Sequence, residues 1–148
     1  MCKIAIGSDH GGFDYKTAII KHLQDEGYEV IDCGTYSKDS CHYPVYGELV
    51  ANKVASKECQ FGILICTSGE GISITANKVK GVRCGIAYCD EVTALMRQHN
   101  DANVVAFGEK FMELNDVIRR VDIFLNTEFE GGRHAVRVNL INEIEKKN

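Results

Sequence analysis

Short runs of apolar residues alternate along the chain with longer stretches whose apolar positions recur every three or four residues. The runs at 3–9 (KIAIGSD), 28–34 (YEVIDCG), 61–66 (FGILIC), 82–88 (VRCGIAY) and 102–108 (ANVVAFG) predict five strands. The periodic stretches predict helices over 13–27, 43–58, 71–79, 90–100, 115–128 and 133–147. Gly27 is a natural helix stop, Pro44 suits a first turn, and Asn115 is the expected N-cap of its helix. Strands that are apolar throughout need cover on both faces. Their regular alternation with helices therefore predicts a three-layer α/β/α, Rossmann-like fold with a five-stranded parallel sheet. No linker, repeat or low-complexity segment interrupts the 148 residues, which read as a single domain over 1–148. The pattern does not encode strand order.

Composition narrows the function. The chain is 45% hydrophobic with a single proline, enough for one sizeable core. A formal net charge of -4 lacks the basic footprint of nucleic-acid binding. No apolar run is long enough to span a bilayer, and the N-terminus enters a strand pattern without the regions of a signal peptide. The seven cysteines are odd in number and form no C-x-x-C pair, so they read as reduced thiols in a cytoplasmic protein. Most suit the role of small buried hydrophobes.

In parallel sheets of this kind, ligands bind outside the carboxyl ends of the strands. The third strand ends there in ICTSGEG, a cysteine followed by a glycine loop. Spacing excludes several chemistries. No Lys-Ser/Thr ending makes a P-loop, and neither GSDHGG nor SGEGIS is a dinucleotide fingerprint. A C-x5-R phosphatase needs arginine where Ile72 stands, and a thioredoxin pair needs cysteine where Gly69 stands. The thiols and imidazoles lack zinc-site spacing.

Two readings remain: a plain glycine turn with a buried cysteine, or an anion hole. In the second, the backbone N–H groups of Thr67, Ser68, Gly69, Glu70 and Gly71 converge at a helix N-terminus, and the same dipole favours thiolate at Cys66. A thiol beside such a hole suits proton abstraction next to a carbonyl. Elsewhere, Asp9 and His10 end the first strand, where they either cap a helix or bind sugar hydroxyls and phosphate. His99 and Asn100 close the fourth helix, where a histidine serves either its end carbonyls or catalysis. Arg133 and Arg137, four apart at the start of the last helix, form either a solvated face or a phosphate site.

The segments IAIGSDHGGFDYK, VIDCGTYS, YPVYG, GILICTSGEGISITANKVKGVRCG, RQHNDANVVAFG and FEGGRHAVRV, in register through nearly the whole chain, resemble the type B ribose-5-phosphate isomerase family. That family includes allose-6-phosphate isomerase and the galactose-6-phosphate isomerase subunits. The resemblance implies an aldose–ketose isomerase, without metal or cofactor, that interconverts ribose 5-phosphate and ribulose 5-phosphate through a cis-enediolate. Cys66 matches the base and Thr67–Gly71 the anion hole, with the Ser68 hydroxyl retained. The family's other branch uses a glutamate at the position of Thr75. His99 matches the ring-opening residue, assisted by Asp9, and Asn100 a sugar contact. His10, Arg133 and Arg137 match phosphate ligands. Lys110 replaces a common arginine, giving charge without a bidentate fork. The resemblance also implies a site shared between two subunits, hence a homodimer or tetramer, with the 133–147 helix expected to pack on a partner. Allose- or galactose-6-phosphate isomerisation is the nearest alternative. A nucleotide- or flavin-binding module is the alternative from another class, and Ile72 weakens a cysteine hydrolase.

Overall fold

The computed structural model describes residues 2–148. Five strands form the sheet: β1 (Lys3–Ser8), β2 (Glu29–Asp32), β3 (Phe61–Cys66), β4 (Cys84–Ile86) and β5 (Val104–Gly108). All pairings are parallel, in the order β2-β1-β3-β5-β4. The helices are α1 (Phe13–Asp25), α2 (Tyr43–Ala55), α3 (Glu70–Asn77), α4 (Asp90–Gln98), α5 (Leu114–Asn126) and α6 (Arg133–Lys146). The chain runs outward from β1 to β2, then crosses to β3 on the other side. The switch point therefore lies between β1 and β3.

Side chains alternate across each central strand. Ile4, Ile6, Phe61, Ile63, Ile65, Val105 and Phe107 pack with Ile19 and Leu23 of α1, Met96 of α4 and Val117, Val121 and Phe124 of α5. Ala5, Leu64, Cys66, Val104 and Ala106 face the opposite way, onto Val50, Ala51 and Val54 of α2 and Ile72 and Ala76 of α3. This gives the expected three layers. β1, β3 and β5 are buried along nearly their full length, which is why they read as continuous apolar runs.

Differences from expectation are local. A 3-10 turn, His10–Gly12, links β1 to α1 and was not foreseen. Asp9 makes no capping hydrogen bond there, so the helix-cap reading of Asp9 falls. The N-cap of α5 is Glu113, and Asn115 lies inside the first turn instead. β2, β4 and β5 are each shorter than predicted.

The start of α4 is tied to α5 by Asp90, which accepts from Arg119 at 2.7 Å and from Arg120 at 2.9 Å. Hydrogen bonds from Arg119 and Arg120 hold the Asp90 carboxyl down at about 2. A carboxyl depressed on folding stabilises the fold above its unfolded value, near 3.9, and loses that contribution as pH falls through the folded one. Asp90→Asn should therefore lower the urea midpoint at neutral pH, and the gap to the parent should close between pH about 4 and about 2. A gap that stays constant over that window would show that Asp90 is not paired this way.

Candidate active site

The carboxyl ends of β1 and β3 bring Asp9, His10 and Cys66 to the switch point. Cys66 is the last residue of β3, paired in register with Gly108, and only 4% exposed. Gly69 then turns the chain with φ +84°, a left-handed conformation that favours glycine. The turn aims the Gly69 N–H back at the sulfur, 3.1 Å from Cys66 Sγ. The loop is clamped from β5, where the Glu109 N–H donates to the Cys66 carbonyl (3.0 Å) and the Lys110 N–H to Thr67 (3.1 Å). Gly11 allows close approach from the other side, since a Cβ there would collide with the Thr67 hydroxyl.

Two of the five expected anion-hole amides are already engaged. Gly69 donates to Cys66, and Glu70 donates to Ser68 Oγ at 3.2 Å. Among the described residues, the amides of Thr67, Ser68 and Gly71 have no protein acceptor, and they sit at the positive end of α3. Because Ser68 Oγ accepts from Glu70, its own O–H stays free to donate.

Asp9 adds an unusual feature. Its side chain is 6% exposed, yet Oδ1 has no hydrogen-bond partner, and the neighbouring Ser8 hydroxyl is likewise unpartnered. A buried carboxyl oxygen without a donor is costly and is unusual in a folded protein. His10 is exposed, and its Nδ1 accepts from the Cys41 N–H at 3.2 Å. Nε2 therefore carries the ring proton outward.

The remaining candidates lie elsewhere. α4 starts at the carboxyl edge of the sheet and returns nine residues to the amino edge, where it is capped by His99 and followed by Asn100. Arg97, 7% exposed, braces the turn by donating to Ala102 (2.7 Å), Asp101 (2.9 Å) and Thr127 (3.1 Å). α6 starts at the same edge, with Arg133 and Arg137 exposed and no acidic residue in its first turn. Within one chain the candidates thus form two groups. Asp9, His10, Cys66, Thr67, Ser68, Gly69, Glu70, Gly71 and Lys110 lie on the carboxyl edge; His99, Asn100, Arg133 and Arg137 lie on the amino edge. A cavity of about 780 Å³ runs beside the open β4 edge, from Ser68 and Glu70 to Asn100. It passes next to Cys66 rather than over it, and Ile86, Tyr88, Val92, Met96 and Phe111 make much of its wall apolar.

Sequence reasoning missed three neighbours. Tyr43 lays its ring against Gly71. His134 stacks on His99, and Glu130 lies beside both rings. The only sequence signal for His134 was its four-residue spacing from Val138, which marks the buried face of α6. His99, Glu130 and His134 bring possible metal-ligand atoms within 4.8 Å of one another, as do His22, Glu26 and Asp122. The first pair of rings is nearly parallel, so their in-plane lone pairs do not converge on one ion. In the second set, His22 Nε2 lies 2.8 Å from Glu26 and 2.9 Å from Asp122 at the surface between α1 and α5.

Burial raises four of the other thiols, those of Cys2, Cys33, Cys59 and Cys84. Burial pushes Cys33 up to about 11 and Cys84 up to about 12. Among the described residues no helix is long and apolar enough to cross a membrane.

Residues 4–141 match the model of the Ribose/Galactose Isomerase family. The chain belongs to the ribose/galactose isomerase family. It is 47% identical to ribose-5-phosphate isomerase B of Escherichia coli over 147 residues, 99% of each chain. The ribose-5-phosphate isomerase B structure from Clostridium thermocellum superposes with a TM-score of 0.97 at 50% identity, over 98% of both chains. The Mycoplasma genitalium isomerase B, solved with bound ribulose 5-phosphate, gives a TM-score of 0.95 at 40% identity, over 99% of this chain and 97% of that one. Membership of this family displaces the nucleotide- or flavin-module and cysteine-hydrolase alternatives.

Burying Asp9 Oδ1 without a partner costs stability. Asp9→Asn should raise the urea midpoint, because an amide is cheaper to bury than an unpaired carboxylate. A lowered midpoint would mean that Asp9 is satisfied in solution.

Proposed function

We propose that the protein interconverts D-ribose 5-phosphate and D-ribulose 5-phosphate through a cis-enediolate, without a metal or cofactor, in the cytoplasm. The observation that carries this reading is the Cys66 thiol fixed at a strand end beside free amides at the N-terminus of α3. Family membership supplies the substrate class.

The cyclic sugar phosphate opens first. His99 gives a proton to the ring oxygen while Asp9 accepts one from the anomeric hydroxyl; the C1–O bond to the ring oxygen breaks and the C1 carbonyl forms. Cys66 then removes the C2 proton as thiolate and returns it to C1. The negative charge that builds on O1 and O2 meets the amides of Thr67, Ser68 and Gly71 and the α3 dipole, which are in place before charge develops. The free Ser68 O–H moves a proton between the two oxygens. Asn100 holds a sugar hydroxyl. The phosphate is gathered by His10 Nε2–H, Lys110, Arg133 and Arg137. Glu70, exposed at the rim, borders the loop.

These roles require the carboxyl-edge group of one subunit to meet the amino-edge group of another, so the working unit is at least a homodimer. Exposed apolar residues support this. Val136, Leu140, Ile141 and Ile144 on α6, with Tyr88 and Phe111, present a surface unsuited to water. Six-carbon phosphosugars are the second reading, favoured by the family's joint ribose and galactose description.

Isomerisation of ribose 5-phosphate should proceed in EDTA. Cys66→Ala should lower it on the order of 10²–10⁴-fold, as expected for loss of a general base. Comparable turnover in that variant would remove Cys66 from the chemistry. A wild type inactive on this sugar but active on allose 6-phosphate would move the substrate to six carbons.

A further inference from the structure

His99 does not stand alone at the end of α4. Its N–H donates to the Leu95 carbonyl at 2.8 Å, which ends the helix. Two residues later Asp101 turns the chain with φ 47°. The segment before α6 is clipped to the same place, because the Glu130 N–H donates to the Gln98 carbonyl at 3.1 Å. From the first turn of α6, His134 lays its ring flat on that of His99. The centroids are 4.0 Å apart and the planes differ by 11°.

The two rings are unequal. The His134 side chain is 10% exposed and that of His99 is 39% exposed. One ring is a buried floor and the other is the working surface above it. Glu130 Oε1 lies 3.6 Å from His134 Nε2 and 3.9 Å from His99 Nε2, so one carboxylate lies near the Nε2 atoms of both rings. The charges around the floor ring matter too. Burial pushes His134 below the usual histidine range, and His99, Arg133 and Arg137 push the same way against Glu130. A neutral ring can lie flat under an imidazole that gains and loses a proton, whereas two stacked imidazolium ions would repel.

We infer that His134 is a positioning residue for ring opening, its buried ring fixing the plane in which His99 presents its nitrogen to the sugar. This rests on the isomerase reading above. His134 need not touch the substrate for the effect, since a proton donor misplaced by about 1 Å can cost 10²-fold.

The test compares two reactions at the same site. Ribose 5-phosphate must be opened before its C2 proton can move. Ribulose 5-phosphate has its C5 oxygen blocked by phosphate and cannot close a five-membered ring. Enzyme-catalysed exchange of its C1 hydrogen with D2O therefore needs Cys66 but no ring opening. His134→Ala should lower kcat for ribose 5-phosphate roughly tenfold or more, while exchange stays within about threefold of the parent. His134→Phe, which keeps a flat buried ring, should recover most of the loss. Equal losses in both reactions, no loss in either, or a phenylalanine variant as impaired as the alanine one would each overturn the role. His99→Ala separates this from failure of the isomerase reading. If His99→Ala is selective for ribose 5-phosphate and His134→Ala is not, only the positioning role fails. If the parent turns over neither sugar, the isomerase reading fails first.

Discussion

Every strand of the sheet points the same way, so each strand-to-helix turn opens on one edge and each following helix returns to the other. Cys66 ends a strand and His99 ends a helix, which sends them to opposite edges. β3 alone spans about 20 Å at some 3.3 Å per residue, and α4 about 13 Å at 1.5 Å per residue. No rotamer change closes that separation. Rigidity is gained at both ends: the thiol is held by a buried strand and the imidazole by a helix end braced through Arg97. On the proposed roles the chain holds two half-sites, which at least two copies must come together to join.

The half-site at Cys66 is built on backbone constraints more than on side-chain chemistry. Gly69 in the left-handed region turns its amide onto the sulfur, while the amides of Thr67, Ser68 and Gly71 are left without a protein acceptor among the described residues. Packing from β5 through Glu109 and Lys110 prevents that loop from relaxing. Asp9 and Ser8 lie beneath, buried and without partners, in a protein whose other buried side-chain polar atoms find partners among the described residues. Leaving those two atoms without partners costs stability.

Much of this was legible in the sequence, for identifiable reasons. β3 was read to the residue because its apolar run is bounded by Gln60 and the glycine loop. The layers followed from strands with no polar face. Strand order stayed hidden because periodicity reports burial, not neighbours. The 3-10 turn at His10 was too short to leave a pattern. Asn115 looked like a cap by residue type, but the backbone enters α5 two residues earlier, at Glu113. His134 was overlooked because its partner is 35 positions away by number and the two arginines beside it dominate the segment. The two half-sites were expected to meet across subunits only through family resemblance. The topology places the two groups on opposite edges of the sheet, so the proposed roles call for a second subunit.

The most direct test mixes two damaged chains, Cys66→Ala and His99→Ala, by denaturing and refolding them together. In a mixed dimer with shared sites, one site inherits both intact groups and the other inherits neither. An equimolar mixture should then recover about a quarter of parental turnover on ribose 5-phosphate, half the dimers being mixed and each having one live site. Activity no higher than the average of the two variants refolded apart would contradict the account and place both groups in the same chain's site.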